Sequence, residues 1–163
     1  MEKYLGVKLI EAEPSSLDQF AGAKNFGDLS KLSGGVDREG YKVVYEDGYT
    51  SWSPKDVFEK AYRRVDNLTF GLAIEALKQG KLVARKGWNG KGMFVMKQIP
   101  AEINLDIIPK MQSVQESAKA VLINRKTTLK YQNQMLIIKE DGTADSWVPS
   151  SSDVFAEDWC IIN

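Results

Sequence analysis

The chain contains no histidine and a single cysteine, Cys160. Histidine is the side chain best suited to proton transfer near neutral pH and the commonest metal ligand. Its absence excludes Ser-His-Asp and Cys-His catalysis, and with one cysteine it leaves no zinc site. Paired carboxylates or a lysine base remain open, yet no acidic pair stands at a spacing that suggests catalysis. No catalytic residue, metal ligand or cofactor is therefore expected. One cysteine also forbids an intramolecular disulfide, which makes a reducing cytoplasm the expected location. Charge of one sign is lacking too: Lys plus Arg number 22 and Asp plus Glu 22. That balance disfavours coating a nucleic-acid polymer or an anionic membrane, so any anion site has to be local. Long hydrophobic runs are missing, so neither a signal peptide nor a membrane span is expected.

What is present, over 163 residues, divides near Asp66-Asn67 into an expected unit 1–66 and an expected unit 67–163. In the first, alternation at Leu5, Val7 and Leu9 predicts a strand over Tyr4 to Glu11. Ser15 or Ser16 is placed to cap a short helix through Phe20. Gly22 to Gly40 reads as a loop, with an anchoring turn on Asn25, Phe26, Leu29 and Leu32. Two β-rich runs flank Asp47-Gly48, whose positive φ values suit a tight hairpin. Ser53-Pro54 then reads as N-cap and first helical residue. The helix from Pro54 to about Arg64 is expected to bury Val57, Phe58, Ala61 and Tyr62.

In the second unit Thr69 caps a helix with Phe70, Ala73, Ile74 and Leu77 on one stripe, closed by Gly80. Strands are predicted at Leu82 to Arg85, Met93 to Gln98, Tyr131 to Lys139, Ala144 to Val148 and Trp159 to Ile162. A short helix is expected near Val114 to Leu122, and another over Asp153 to Ala156 capped from Ser150 to Ser152. Pro100 to Pro109 reads as irregular. Without regular βαβ alternation, the fold class is α+β, two small antiparallel sheet-plus-helix units. The halves share a pattern: Glu46-Asp47-Gly48, Ser51-Trp52, Pro54, Asp56-Val57-Phe58 against Glu140-Asp141-Gly142, Ser146-Trp147, Pro149, Asp153-Val154-Phe155. Either two corners use the same turn chemistry, or the halves are distant relatives.

Chemistry concentrates in the loop Arg85 to Gly92, which holds three cations and three glycines around Trp88 and Asn89. Glycines let backbone N–H groups approach an anion, Arg grips phosphate bidentately, and Trp offers a flat face for a base. The alternative is a glycine hairpin with solvated lysines and a core Trp. The spacing is not that of a P-loop. A second cluster, Trp147, Ser150 to Ser152, Asp153, Asp158 and Trp159, offers a stacking wall beside a helix N-terminus, with carboxylates for ribose hydroxyls or an exocyclic amine. There the alternatives are a cap residue at Asp153 and a core filler at Trp159. By spacing, Phe70 reads as core.

The runs Thr69-Phe70-Gly71 to Leu77, Val83 to Met93, and Trp147-Val148-Pro149-Ser150 through Asp153 to Trp159 resemble, in that order, the second Thoeris anti-defence family. The likeness covers about Leu68 to Asn163. It implies a phage or prophage protein acting in the host cytoplasm as a sponge. Such a protein sequesters cyclic ADP-ribose-type signals of the Thoeris TIR system without cleaving them, and in some members CBASS cyclic oligonucleotides in a different pocket. It further implies homotetramers with pockets at subunit interfaces. By position, Phe70, Arg85, Trp88 and Trp147 become stacking and phosphate-gripping candidates. Asp153 and Asp158 become polar partners, and Asn89, Ser150 and Trp159 complete the ligand-binding set. The first half, through Tyr4 to Ala12, Gly40 to Val43 and Gly48 to Pro54, resembles a small domain recurrent in phage proteins, to which no role attaches. The competing functions are a phosphodiesterase-like enzyme that degrades such signals and a phage structural or DNA-associated protein.

Overall fold

The computed structural model describes residues 7–24 and 38–162. The anchoring turn expected on Asn25, Phe26, Leu29 and Leu32, and the start of the strand expected at Tyr4, lie outside them. The chain forms two compact units, Met1–Arg64 and Val65–Asn163. Both combine helices with antiparallel sheets, an α+β fold.

Unit 1 is a three-stranded sheet of β1 (Glu11–Pro14), β2 (Gly40–Val44) and β3 (Thr50–Pro54) in that order, with helices α1 (Leu17–Lys24) and α2 (Lys55–Ala61). The first strand begins where the expected one ends. Its register sets Glu11 against Val44 and Pro14 against Tyr41, and Pro14 is tolerated because β1 is an edge strand. Before β1, Val7 is exposed and Leu9 half-buried. Ser16 and Gln19 cap α1 reciprocally, each side-chain oxygen accepting the other's backbone amide at 3.1 Å. The helix runs past Phe20 and buries Phe20 and Ala21.

The hairpin joining β2 and β3 turns where expected, by a different means. Only Gly48 has positive φ, +81°. Asp47 instead accepts the Tyr49 amide at 2.9 Å, while the Gly48 amide reaches the Tyr45 carbonyl at 2.8 Å. This is a wider turn with glycine at its left-handed position. Pro54 closes β3 and serves as the N-cap of α2 without a side-chain bond, so Ser53 is a strand residue paired with Tyr41. The helix ends at Ala61 and buries no residue completely; Val57 and Ala61 are exposed. Its contribution is aromatic, since Phe58 stacks on Tyr41 at 4.1 Å and on Tyr62 at 4.9 Å.

Unit 2 holds a five-stranded antiparallel sheet in the order β10-β4-β5-β8-β9, built from β4 (Leu82–Arg85), β5 (Phe94–Gln98), β8 (Gln134–Ile138), β9 (Ala144–Ser146) and β10 (Trp159–Ile162). A separate ribbon pairs β6 (Ala101–Ile103) with β7 (Leu129–Tyr131). The expected strand Tyr131 to Lys139 is thus two strands broken at Gln132-Asn133, and part of the stretch expected to be irregular is β6. Helix α3 (Phe70–Lys78) lies across β10, β4 and β5. Thr69 caps it by accepting the Leu72 amide at 3.5 Å. Gly80, φ +81°, ends it with amide bonds from Gly80 to Leu77 and Lys81 to Ala76, both 3.0 Å, a Schellman closure that satisfies the last carbonyls. Helix α4 (Glu116–Asn124) starts later than expected. Helix α5 (Ser151–Val154) starts earlier, capped by Ser150. Beneath α3 the core comprises Leu68, Ala73, Ala76, Leu77, Val83, Val95 and Trp159.

The two matching sequence patterns form matching turns and different corners. Lys139 to Thr143 repeats the bonds of Tyr45 to Tyr49, with Gly142 also at +81° and Asp141 accepting the Thr143 amide at 2.9 Å. Beyond the turn, β3 runs directly into α2, whereas Trp147 to Ser150 separate β9 from α5. Shared turn chemistry accounts for the likeness, and common descent of the halves is not supported.

Gly40 provides the test of unit 1. A Cβ there would meet the Ser53 carbonyl oxygen and the Trp52 ring at impossible distances. The carbonyl belongs to the paired strand and cannot yield. Gly40→Ala is expected to destabilise unit 1 by about 1–3 kcal/mol. Hydrogen exchange should show faster exchange at β2 and β3 amides, with α3 and β4 unchanged.

Candidate functional site

Arg85 ends β4 and stands opposite Trp159, the first residue of β10. That register brings the Gly-rich loop against the segment Ser150 to Asp158. The Arg85 Nε donates to Asp158 Oδ1 at 2.8 Å, and Nη1 donates to Asp153 Oδ1 at 2.8 Å and to the Ser152 carbonyl at 3.2 Å. Asp158 Oδ2 accepts the Gly87 amide at 2.7 Å. Asp153 also accepts the Trp88 indole N–H at 3.0 Å on Oδ1, and the Ser150 hydroxyl and amide on Oδ2 at 2.6 and 2.9 Å. Two carboxylates therefore bind one guanidinium, with loop and cap groups filling their remaining positions.

The electrostatics follow from these bonds. Burial pushes the Asp153 carboxyl up, but the donors Ser150, Trp88 and Arg85 outweigh it and hold the group far below the ordinary range. The Arg85 hydrogen bond holds Asp158 below its ordinary value, helped by the Gly87 amide. Arg85 is raised by the same bonds, that to Asp158 foremost. Its side chain is only 16% exposed. Two of its three guanidinium nitrogens, Nε and Nη1, are thus held by protein carboxylates.

Around this network stand four aromatic rings. Trp88, Trp147 and Trp159 meet edge to face at 5.3–5.9 Å centroid separations, the arrangement their quadrupoles favour. Phe70 joins at 5.5 Å from Trp159 and 6.4 Å from Trp147. Trp159 is 0% exposed, and its indole donates to the Asp153 carbonyl at 3.0 Å. It backs the cluster as a core residue and has no surface to offer a ligand. Phe70, Trp88 and Trp147 are half-buried. Ser150 and Asp153 complete a capping box, so this end of α5 is already closed by its own side chains. Of the nine residues singled out by sequence, the fold assembles eight; Asn89 alone stays apart, exposed beyond Trp88. Sequence reasoning missed the Ser152 carbonyl, which has no side-chain signature, and the role of Gly87.

Beyond Trp88 the loop changes character. The amides of Asn89, Gly90, Lys91 and Gly92 form no hydrogen bond among the described residues. Two of these residues, Gly90 and Lys91, line an open groove of about 490 Å³ together with Met93, Lys139, Glu140 and Asp141. Gly92, φ +71°, lies over Glu140. Among the described residues no group of three or more His, Cys, Asp or Glu converges to hold a metal, and no helix is long and apolar enough to cross a membrane.

The two runs that this register joins are also where known proteins match. The model of the Thoeris anti-defense 2-like domain covers residues 68–162, more than half of the chain and most of unit 2. The chain belongs to the Thoeris anti-defense 2-like family. A relative of that family, Thoeris anti-defense 2 of Bacillus phage SP01, is 35% identical over 96 residues, spanning 59% of this chain and 96% of that protein. The family-model match lies within unit 2. What characterises this family member structurally is the junction of Arg85 with Asp153 and Asp158.

Its acid response follows from the lowered carboxyls. Their folded-state pKa values lie below the unfolded ones, so the stability they contribute is complete above the unfolded value and is lost as pH falls through the folded values. Thermal unfolding of unit 2 is expected to hold steady from pH 7 to about 5 and to fall steeply below about 4. Asp153→Asn removes the ionic partner of Arg85 and Trp88. It should cost roughly 1.5–3 kcal/mol at neutral pH and flatten the acid slope; an unchanged slope would contradict the assignment.

Proposed function

We propose that unit 2 is a sponge: it binds a cyclic ADP-ribose-type signal of the Thoeris system tightly, releases it unchanged on unfolding, and so withholds it from the defence effector. CBASS cyclic oligonucleotides are a second candidate cargo. Family membership supports the anti-defence role. The observation that carries the binding mode is the pairing of half-buried aromatic rings with a loop whose near half one carboxylate–guanidinium network fixes and whose far amides are open. Phe70, Trp88 and Trp147 supply stacking faces for a base. Asn89, the open amides to Gly92 and Lys91 supply an anion-binding concavity for phosphates, and Ser150 meets ribose hydroxyls. Arg85 and Asp153 hold the parts together. Stoichiometric capture suits a chain without histidine, and a neutral overall charge suits a small ligand better than a nucleic-acid polymer. The site of action is the cytoplasm of a phage-infected bacterium.

The active form is a homotetramer. Val148 and Phe155 are 82% and 84% exposed, and Val154 is 41% exposed, in the segment between Trp147 and Trp159. Large exposed apolar side chains suit contact with further copies.

Two measurements test these assignments. Calorimetric titration with cyclic ADP-ribose isomers should give saturable binding, and heating the complex should return intact ligand. Recovery of a cleaved product would make the protein an enzyme instead. Trp88→Ala, shown by circular dichroism to be folded, should lose about 1–3 kcal/mol of binding; undiminished affinity for every isomer would sink the site. Separately, light scattering should find the wild type tetrameric and Phe155→Glu shifted to smaller species. A monomeric wild type rules the tetramer out.

A further inference from the structure

Gly87 has no conformational need to be glycine: positive φ among the described glycines is confined to Gly48, Gly80, Gly92 and Gly142. Its reason is space. A Cβ at Gly87 would lie 2.6 Å from Asp158 Oδ2 and 3.4 Å from an Arg85 guanidinium nitrogen. The same carboxylate oxygen accepts the Gly87 amide at 2.7 Å, its twin accepts Arg85 Nε at 2.8 Å, and the Asp158 carbonyl accepts the Lys86 amide at 3.2 Å. Three consecutive loop residues are thus held by one residue 71 to 73 positions away. Immediately beyond, Trp88 is held through its indole by Asp153, and the open amides begin at Asn89.

We infer that Asp158 and Gly87 form a latch that presets the Gly-rich loop, making Asp158 a positioning residue that governs how well the loop's open amides and the Trp88 ring receive an anionic nucleotide. This rests on the sponge function proposed above. The latch fixes the near half of the loop through protein–protein bonds and leaves the far half for the ligand. Arg85 is thereby a strut, with its charge met by Asp153 and Asp158, and ligand phosphate is met by Lys91 and backbone N–H groups. Preset geometry raises affinity because the loop loses little further freedom on binding. The clash at Gly87 falls on the far end of a side chain 32% exposed, so an added methyl turns Asp158 aside with little cost to folding. Breaking the latch and unfolding the unit are therefore separable.

The test is a double-mutant cycle on the full chain with wild type, Gly87→Ala, Asp158→Ala and the double variant. Cyclic ADP-ribose and its isomers serve as probes, and amide hydrogen exchange is measured without ligand. Each single variant is expected to weaken binding by about tenfold or more. Gly87→Ala should add almost nothing once Asp158 is Ala, because the two act as one unit. Exchange at Gly87 and Trp88 should quicken in both single variants, while Val83 and Val95 stay protected. Losses that simply multiply would overturn the latch, as would unchanged Gly87 exchange in Asp158→Ala. If the wild type binds none of the probes the sponge function falls, while the exchange data still decide the latch.

Discussion

Asp153 is the constraint on which unit 2 depends. An ionised carboxylate with a side chain 10% exposed is costly unless every lone pair is met. Here the partners come from three places: the end of β4, the loop beyond it and the cap before α5. Meeting that demand fixes where Arg85 points, how Trp88 turns its indole and where α5 begins. Removing any one donor leaves the others bonded to a charge whose burial no longer has full compensation. The aromatic cluster depends on the same group, because Trp88 and Trp159 both direct their N–H toward Asp153, one to its side chain and one to its carbonyl.

The loop that drew attention by its glycines and cations is thereby divided. Its cation nearest the sheet is neutralised within the protein, while its far end stays open to solvent. A site with a bare Arg would attract phosphates of many kinds. A site whose Arg is already satisfied gives long-range attraction less weight and favours ligands whose base and sugar fit as well.

Local chemistry was the readable part of the sequence. Thr69 and Gly80 bound α3 because capping is decided within a few residues. Asp47-Gly48 and Asp141-Gly142 mark turns for the same reason, and the β4 and β10 strands stand where their β-rich runs stand. What could not be read was any fact settled by distant residues. Ser53 looks like a cap until Tyr41 claims it for the sheet, and Tyr131 to Lys139 looks like one strand until β6 takes its first part. At the site, residue types pointed to the right neighbourhood and misjudged individual roles. Arg85 reads as free until its two carboxylates arrive from near the opposite end of the unit. Gly87 reads as an anion-binding glycine, when its bareness makes room for Asp158. Trp159 reads as a possible wall, and its packing against Leu68 and the α3 side chains of the core buries it.

The strand order of unit 2 has a kinetic consequence. β10 is made last and lies beside β4, near the beginning, and Leu68 bridges to Trp159 across nearly the whole unit. Long-range closure of this kind is slow and cooperative. No fragment released early in translation carries half a pocket, since neither half of the Arg85–Asp158 junction exists alone. Any ligand taken up only by the folded unit would draw the folding equilibrium further toward the closed form, so that binding and chain closure reinforce each other.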